Sequence, residues 1–445
     1  MIRRRDFFAV AAIPVMAPRK LVSVFQHENV LGTSLELRLD SLTPDRAEGA
    51  ALLEIDRLAK ILSSYDASSE VSRWTRTLNE PVRVSPELME VLGLYDEWRV
   101  RTDGAISAGF AVPNGGPHWK LDRKNSIATH LTRAPLVLNS FTKSYVIDKA
   151  ADAAMKHARG VVVNIGGDIV VKGRTVELAR IANPLDDTEN SAPMASIRMA
   201  GMAMATSGNS RRGAHIVDPR TGARPAHIAS ATVMAPKATD AGALATAFTI
   251  LSVDESRALA AKIPGLEYML VRKGGGVIRT PGFLLAPLAQ APGAFEVVVN
   301  LELARIEGQR YRRPYLAVWV EDKDRFPVRT VALWFQKDRW LPDLKSWYRG
   351  DRLRLLAEGN EIAATVSSAT RPPGKYTMKW DGKDGKGVPV KPGKYTIFIE
   401  ASREHGTYQL LRQEIDLTAG PKQFPLTGGT EIAAASIDYR KSAGH

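Results

Sequence analysis

Cysteine is absent from all 445 positions, which excludes thiolate catalysis, cysteine-ligated zinc and disulfide crosslinks. The absence leaves compartment open, because an exported protein can do without disulfides. Long hydrophobic runs are missing too. The apolar stretch 9–17 is far too short to span a bilayer as a helix, and no later segment is apolar enough to be transmembrane. The 61 lysines and arginines give a net charge of +13, yet they are scattered, with no long basic run and no basic helix face interleaved with aromatics. That pattern argues against nucleic acid and for a solvated basic surface with a phosphate-bearing ligand. There is no tandem repeat, and an apolar content of 44% with 35 glycines is that of a folded chain. A chain this long exceeds one ordinary core, so two or three domains are expected.

The N-terminus carries an address. Arg3-Arg4-Arg5-Asp6-Phe7-Phe8 precedes the short apolar stretch, and Pro18-Arg19-Lys20 follows it. Residues 1–20 resemble a twin-arginine export signal, which implies export to the periplasm, by a route that carries folded and often cofactor-loaded proteins.

Local patterning predicts two strands in 22–40 around Leu31-Gly32-Thr33, a helix over 44–63, and a second helix from a Ser85-Pro86 start to about Arg101. Further helices are expected over 140–158, 240–251 and 254–262, with a strand over 160–171 that carries Asn164-Ile165-Gly166-Gly167-Asp168. Strands and helices interleave without a regular βαβ rhythm, so the class is α+β. Proline-rich residues 283–294 read as a linker. From 295 to 440 short alternating runs separated by turn signals predict an all-β, Ig-like sandwich. Its tryptophans 319, 334, 347 and 380 are expected in the core.

At the centre lies 206–222, a Thr-Ser-Gly turn, a basic pair, His215 and an Asp-Pro-Arg-Thr-Gly turn, followed by a buried-strand pattern at 230–235. Hydroxyls, glycine amides and an arginine at strand ends suit an anionic ligand such as a pyrophosphate.

With these blocks in order, residues from about 29 to 282, within a domain expected over 21–282, resemble the FAD:protein FMN transferase (ApbE) family. The matching segments are Gly32-Thr33, Ser64-Tyr65-Asp66 with Ser69-Glu70-Val71-Ser72-Arg73, Thr102-Asp103-Gly104-Ala105, Lys143 with Tyr145 and Asp148, Asn164 to Asp168, and Thr206 to Gly222. The resemblance implies an enzyme that uses Mg²⁺ to cleave FAD, passes FMN to a threonine or serine of an acceptor protein, here an exported one, and releases AMP. It places the flavin nucleotide against Leu31, Tyr65, Ala105, Ile106 and Ser107, with Tyr65 stacked on the ring. It places the phosphates against Lys143, Gly166, Gly167, Asp168, Thr206, Ser207, Gly208, His215, Val217 and Arg220. Catalytic roles would fall to Lys143, Asp240 and Thr246, and metal ligation to Ser140, Asp240 and Thr246.

Three carboxylates of the family pattern are missing. Its Asp-Ala-Leu-x-Thr reads Gly242-Ala243-Leu244-Ala245-Thr246, its Asp-Leu at the start of the lysine helix reads Val137-Leu138, and its Gly-Ala-Phe-Asp reads Gly104-Ala105-Ile106-Ser107. Asp240 lies about 200° around a helix from Gly242. Two readings stand: an active transferase with an altered metal pocket, using Asp240 or Asp168, or a non-catalytic flavin-nucleotide-binding or assembly module. The C-terminal part resembles a β-domain of unassigned function that accompanies flavin transferases in exported bacterial proteins.

Overall fold

The computed structural model describes residues 22–286 apart from 110–116, 187, 189, 192 and 209–215, and residues 295–441 apart from 307–311, 336–337, 359–366, 369, 386 and 405. The segment read as an export signal and His215 therefore lie outside the described residues.

Seven helices are described: α1 Pro44–Leu62, α2 Glu70–Trp74, α3 Pro86–Arg101, α4 Thr142–Met155, α5 Ala238–Ile250, α6 Val253–Ala260 and α7 Lys345–Glu358. Their starts follow from local chemistry. Ser85 accepts a hydrogen bond from the Leu88 amide and Pro86 supplies a preset φ. Ser252 and Glu255 close a reciprocal capping box at α6. In α1 the buried residues Ala47, Ala51, Ile55, Leu58 and Leu62 recur at three and four positions, so one face is apolar and packs inward. Among the described residues no helix is long and apolar enough to cross a membrane.

The first unit is built on an antiparallel eight-stranded sheet. Its spatial order is Val22–Val30, Thr33–Asp40, Gly160–Ile165, Asp168–Gly173, Ala203–Gly208, Ile228–Ala235, Glu267–Arg272 and Val277–Arg279. One face packs on α1, α4 and α5 through Leu35, Leu37, Val161, Val163, Val233 and their neighbours. The other face is covered by a three-stranded sheet, with Val162, Val171, Met204 and Met269 meeting Ala179, Ile197 and Phe283. Burial on both faces explains why Ile228–Ala235 is buried at every position.

Two boundaries differ from the sequence reading. The single strand expected over 160–171 is a hairpin, because Gly166 and Gly167 adopt φ of +59° and +93° and turn the chain in two residues. The linker expected over 283–294 starts later. Phe283 is fully buried and Leu285–Ala286 pairs with Ala195–Met199, so these residues belong to the first unit.

The second unit is a sandwich of a four-stranded and a five-stranded sheet. Val297, Val299 and Leu301 from one face Leu316, Val318, Ile397 and Ile399 from the other in a shared core. All four tryptophans named above are buried. The departure from an all-β pattern is α7, which with the 3₁₀ turn Asp338–Asp343 covers the outer face of the larger sheet. The units touch through Asn190, whose amide receives the Lys379 N–H at 2.8 Å and donates to the Lys379 carbonyl at 2.7 Å.

Candidate functional site

Register brings two hairpin turns and the end of the strand Ala203–Gly208 to one end of the large sheet's strands. The Thr-Ser-Gly segment read as a turn in the sequence is the last part of that strand. The hairpin at Leu31-Gly32, with φ of +49° and +77°, stands beside the hairpin at Gly166-Gly167, since the Gly166 amide donates to the Ser34 carbonyl at 3.1 Å. The strand ending in Thr206, Ser207 and Gly208 runs antiparallel to the strand that leaves the second hairpin. Thr206 and the fully buried Thr232 share a hydrogen bond between their hydroxyls at 3.0 Å.

The glycines serve the sheet. The Gly166 amide is committed to Ser34, and the Gly167 amide donates to Asn164 Oδ1 at 3.1 Å, so neither hairpin amide is left for phosphate, contrary to the sequence-based expectation. Gly208 is required by approach, because a Cβ there would lie 2.6 Å from the Ala229 carbonyl oxygen. At Gly166 a Cβ would lie 2.8 Å from the Thr33 side chain, whereas at Gly167 nothing lies within 4 Å. Gly166→Ala is therefore expected to cost about 1–3 kcal/mol, from strained φ plus crowding, and Gly167→Ala about 1 kcal/mol from φ alone. Urea midpoints check this, and the reverse order of the two variants would refute the packing argument.

Lys143, in the first turn of α4, reaches this end of the strands. Its ammonium pairs with Asp168 Oδ2 at 2.8 Å, and the aspartate is nine-tenths buried. Just before α4, the Ser140 carbonyl oxygen accepts a hydrogen bond from Thr246 Oγ1 of α5 at 3.3 Å. Where α5 crosses α4, Gly242 faces Ser144, and a Cβ on Gly242 would lie 2.2 Å from Ser144 Oγ. Asp148, farther along α4, accepts from the Ala238 amide at the start of α5 and pairs with Lys172.

The structure brings Ser140 and Thr246 together but leaves Asp240 apart. Asp240 stands roughly 9 Å from Thr246 along α5 and about 200° around from Gly242. Burial pushes its carboxyl above the usual range, against the pull of Lys237 and Arg101. Around it stand Lys237 just before α5, Glu97 and Arg101 of α3 and Asp148 of α4. Substitution for the missing carboxylate at 242 would need the start of α5 to unwind, and α5 is helical from Ala238, so Asp240 keeps its own face. Among the described residues no three histidine, aspartate or glutamate side chains are grouped to hold a metal. A hard divalent cation seeks carboxylate oxygens, while the two candidate oxygens here are hydrogen-bonded to each other. The donor set does not fit Mg²⁺.

The remaining candidates divide. Ala105 and Ile106 are core residues, and the Ile106 amide donates to Thr102 Oγ1. Ser107 Oγ lies 3.4 Å from His118 Nε2. Arg220 packs against Gly104 and places its guanidinium fork on Asp218, at 2.9 Å from Nε and 2.8 Å from Nη2, so that fork already has a carboxylate partner. Val217 is half-buried in the preceding segment. Tyr65 is 89% exposed and presents its ring to solvent. Next to it opens a cavity of about 600 Å³ lined by Ser64, Val71, Ser72, His130, Thr132 and Leu138. Sequence reasoning missed His130 there. It sits on a short strand with no motif around it, and burial lowers its pKa below the ordinary value. Ser144 was missed as well, although its place between Lys143 and Tyr145 was a visible signal.

Two family models match the chain. The ApbE family covers residues 31–113 and 111–270, and the family described as a predicted periplasmic protein, DUF2271, covers 296–434. An FAD:protein FMN transferase of Haemophilus influenzae is 28% identical over 264 residues, which span 49% of this chain and 76% of that protein. A protein of the same description from Treponema pallidum is 31% identical over 189 residues, 37% of this chain and 49% of its own. Among solved structures, the ApbE protein of Thermotoga maritima superposes with a TM-score of 0.52 at 24% identity, covering 59% of this chain and 98% of its own. The apo flavinyl transferase ApbE of Pseudomonas stutzeri gives 0.50 at 20% identity, covering 63% and 98%. At these identities the superpositions speak to fold.

Proposed function

Because the chain belongs to the ApbE family, we propose that its first unit binds FAD and transfers FMN to a serine or threonine hydroxyl of an exported acceptor protein, releasing AMP. In that reaction the acceptor oxygen bonds to the FMN phosphorus. The bond from that phosphorus to the oxygen bridging to AMP breaks, that oxygen leaves on AMP, and the hydroxyl proton is lost to solvent. The observation that carries the reading is the Lys143 ammonium, fixed by Asp168 at the end of the central strands where both hairpins and Thr206–Gly208 meet. The pair with Asp168 is formally neutral. An ammonium has three N–H donors, however, so with one given to Asp168 it is held in place and keeps others for a diphosphate, without having to reorganise as charge moves to the leaving group. The exposed ring of Tyr65 offers a stacking face for the flavin. The second unit matches a family described as periplasmic, which supports an acceptor in that compartment.

Incubation with FAD and a flavin-accepting protein, with AMP followed by chromatography, is the test. One AMP is expected per FMN attached, and Lys143→Ala should slow release roughly 100-fold. FAD bound with no AMP formed would favour the second reading, a non-catalytic flavin-nucleotide-binding module, to which the missing carboxylates already point.

A further inference from the structure

Where α4 crosses α5, the bulk lies on α4 and the small residue on α5. Ser144 is 2% exposed, and its hydroxymethyl group fills the volume that a side chain at 242 would need. A Cβ on Gly242 would come within 2.9 Å of Ser144 Cβ as well as 2.2 Å of its Oγ, closer than non-bonded atoms approach. Phe141 closes the other side at 3.5 Å. The face of α5 that looks toward the start of α4 is made of Gly242 and, one turn on, Thr246. It offers one hydroxyl, already given to the Ser140 carbonyl. The ionised pair at this end of the sheet is Lys143 with Asp168. The next charge along α4 is Asp148, which pairs at 2.9 Å with Lys172 of the strand Asp168–Gly173.

We infer that this chain uses the Lys143 ammonium, in place of a divalent cation, against the diphosphate of its ligand, and that Ser144 determines this by keeping a carboxylate out of position 242. The inference rests on the FAD reading above. A divalent ion needs charged oxygens to offset its dehydration; the face of α5 at this crossing offers none, and the carboxylate at this end of the sheet, Asp168, is already paired with Lys143. The Lys143 ammonium brings its own charge and is held in place by that same aspartate. Restoring a carboxylate at 242 requires removing the Ser144 side chain as well, so the two positions act as one determinant.

The test has two arms. In the first, Mn²⁺ is titrated into the FAD-free protein and free ion is followed by electron paramagnetic resonance. The unaltered protein should retain no bound Mn²⁺ at 100 μM on the scale of ordinary sensor sites, about 10⁻⁵ M or tighter. The double variant Ser144→Gly/Gly242→Asp should gain one site, and Ser144→Gly alone, which only opens space, should gain none and report on folding. A site in the unaltered protein that survives in Ser144→Gly overturns the inference, as does a double variant that folds like Ser144→Gly and gains no site. In the second arm, FAD affinity is measured by fluorescence in Mg²⁺ and in chelator. The unaltered protein should differ less than about twofold between the two, and Lys143→Met should weaken binding by at least tenfold in both, a change equivalent to 1.4 kcal/mol. Binding that requires Mg²⁺ sinks the inference while leaving the FAD reading intact. Absence of binding under both conditions sinks the FAD reading and the inference with it.

Discussion

Gly242→Asp lowers the stability of the first unit by about 2–4 kcal/mol, the sum of overpacking at a close helix crossing and the partial burial of a carboxylate, less the small gain of replacing a helical glycine. The overpacking comes from Ser144, whose Oγ would lie 2.2 Å and whose Cβ 2.9 Å from the new Cβ. For a unit of this size the thermal midpoint should fall by roughly 5–15 °C. Gly242→Ala should reproduce the steric part and omit the charge. Ser144→Gly introduced alongside Gly242→Asp should recover at least half of the loss, a coupling far outside the additivity seen for independent sites. Calorimetry on the four proteins of the cycle decides it. If Gly242→Asp melts within a degree of the unaltered protein, or if Ser144→Gly restores nothing, the two helices do not meet as described.

Glu400→Ala is expected to release the first turn of α7 and cost about 3 kcal/mol. Glu400 is fully buried on the strand Lys394–Ser402 and accepts from the backbone amides of Ser346 and Trp347, both at 2.8 Å. The start of α7 thus takes its cap from a distant strand. Alanine would leave the buried Trp347 N–H and the part-buried Ser346 N–H without this partner, the buried one worth about 1–3 kcal/mol and the other less. Burial already holds the Glu400 carboxyl above its usual range, so neutral Glu400→Gln, which keeps one accepting oxygen, should be milder. Hydrogen exchange is the measurement. Amides of residues 344–350 should exchange at least 30-fold faster in Glu400→Ala, with Phe295–Leu303 in the other sheet little changed. Equal protection in both proteins would mean that α7 is held by its apolar face alone, through Trp347 and Leu344.

Much of the fold was legible because its signals are local. Ser85-Pro86 starts a helix, Leu31-Gly32 turns a hairpin, and the alternation of 295–303 gives a strand with the observed bounds. The doublet Gly166-Gly167 was visible, but its consequence was misjudged: its left-handed turn divides one expected strand into two. The helix α7 escaped because its cap and its apolar partners lie on other strands, where no local pattern records them.

The site was less legible than the fold. Lys143 and Asp168 were both singled out, yet only packing sets them 2.8 Å apart. The direction of Asp240 followed from helix geometry, whereas the fates of the glycine amides and of the Arg220 fork did not, because a donor's partner is fixed by register and turn conformation. The sequence by itself determined which residue types are available: a lysine, several turns free of side chains, and no carboxylate at 107, 137 or 242. Tertiary structure decided which of them meet and which are already spent on one another. Hydrogen bonds and van der Waals contacts act over a few ångströms, and distant stretches of chain come within that range only once the sheet and its helices have closed.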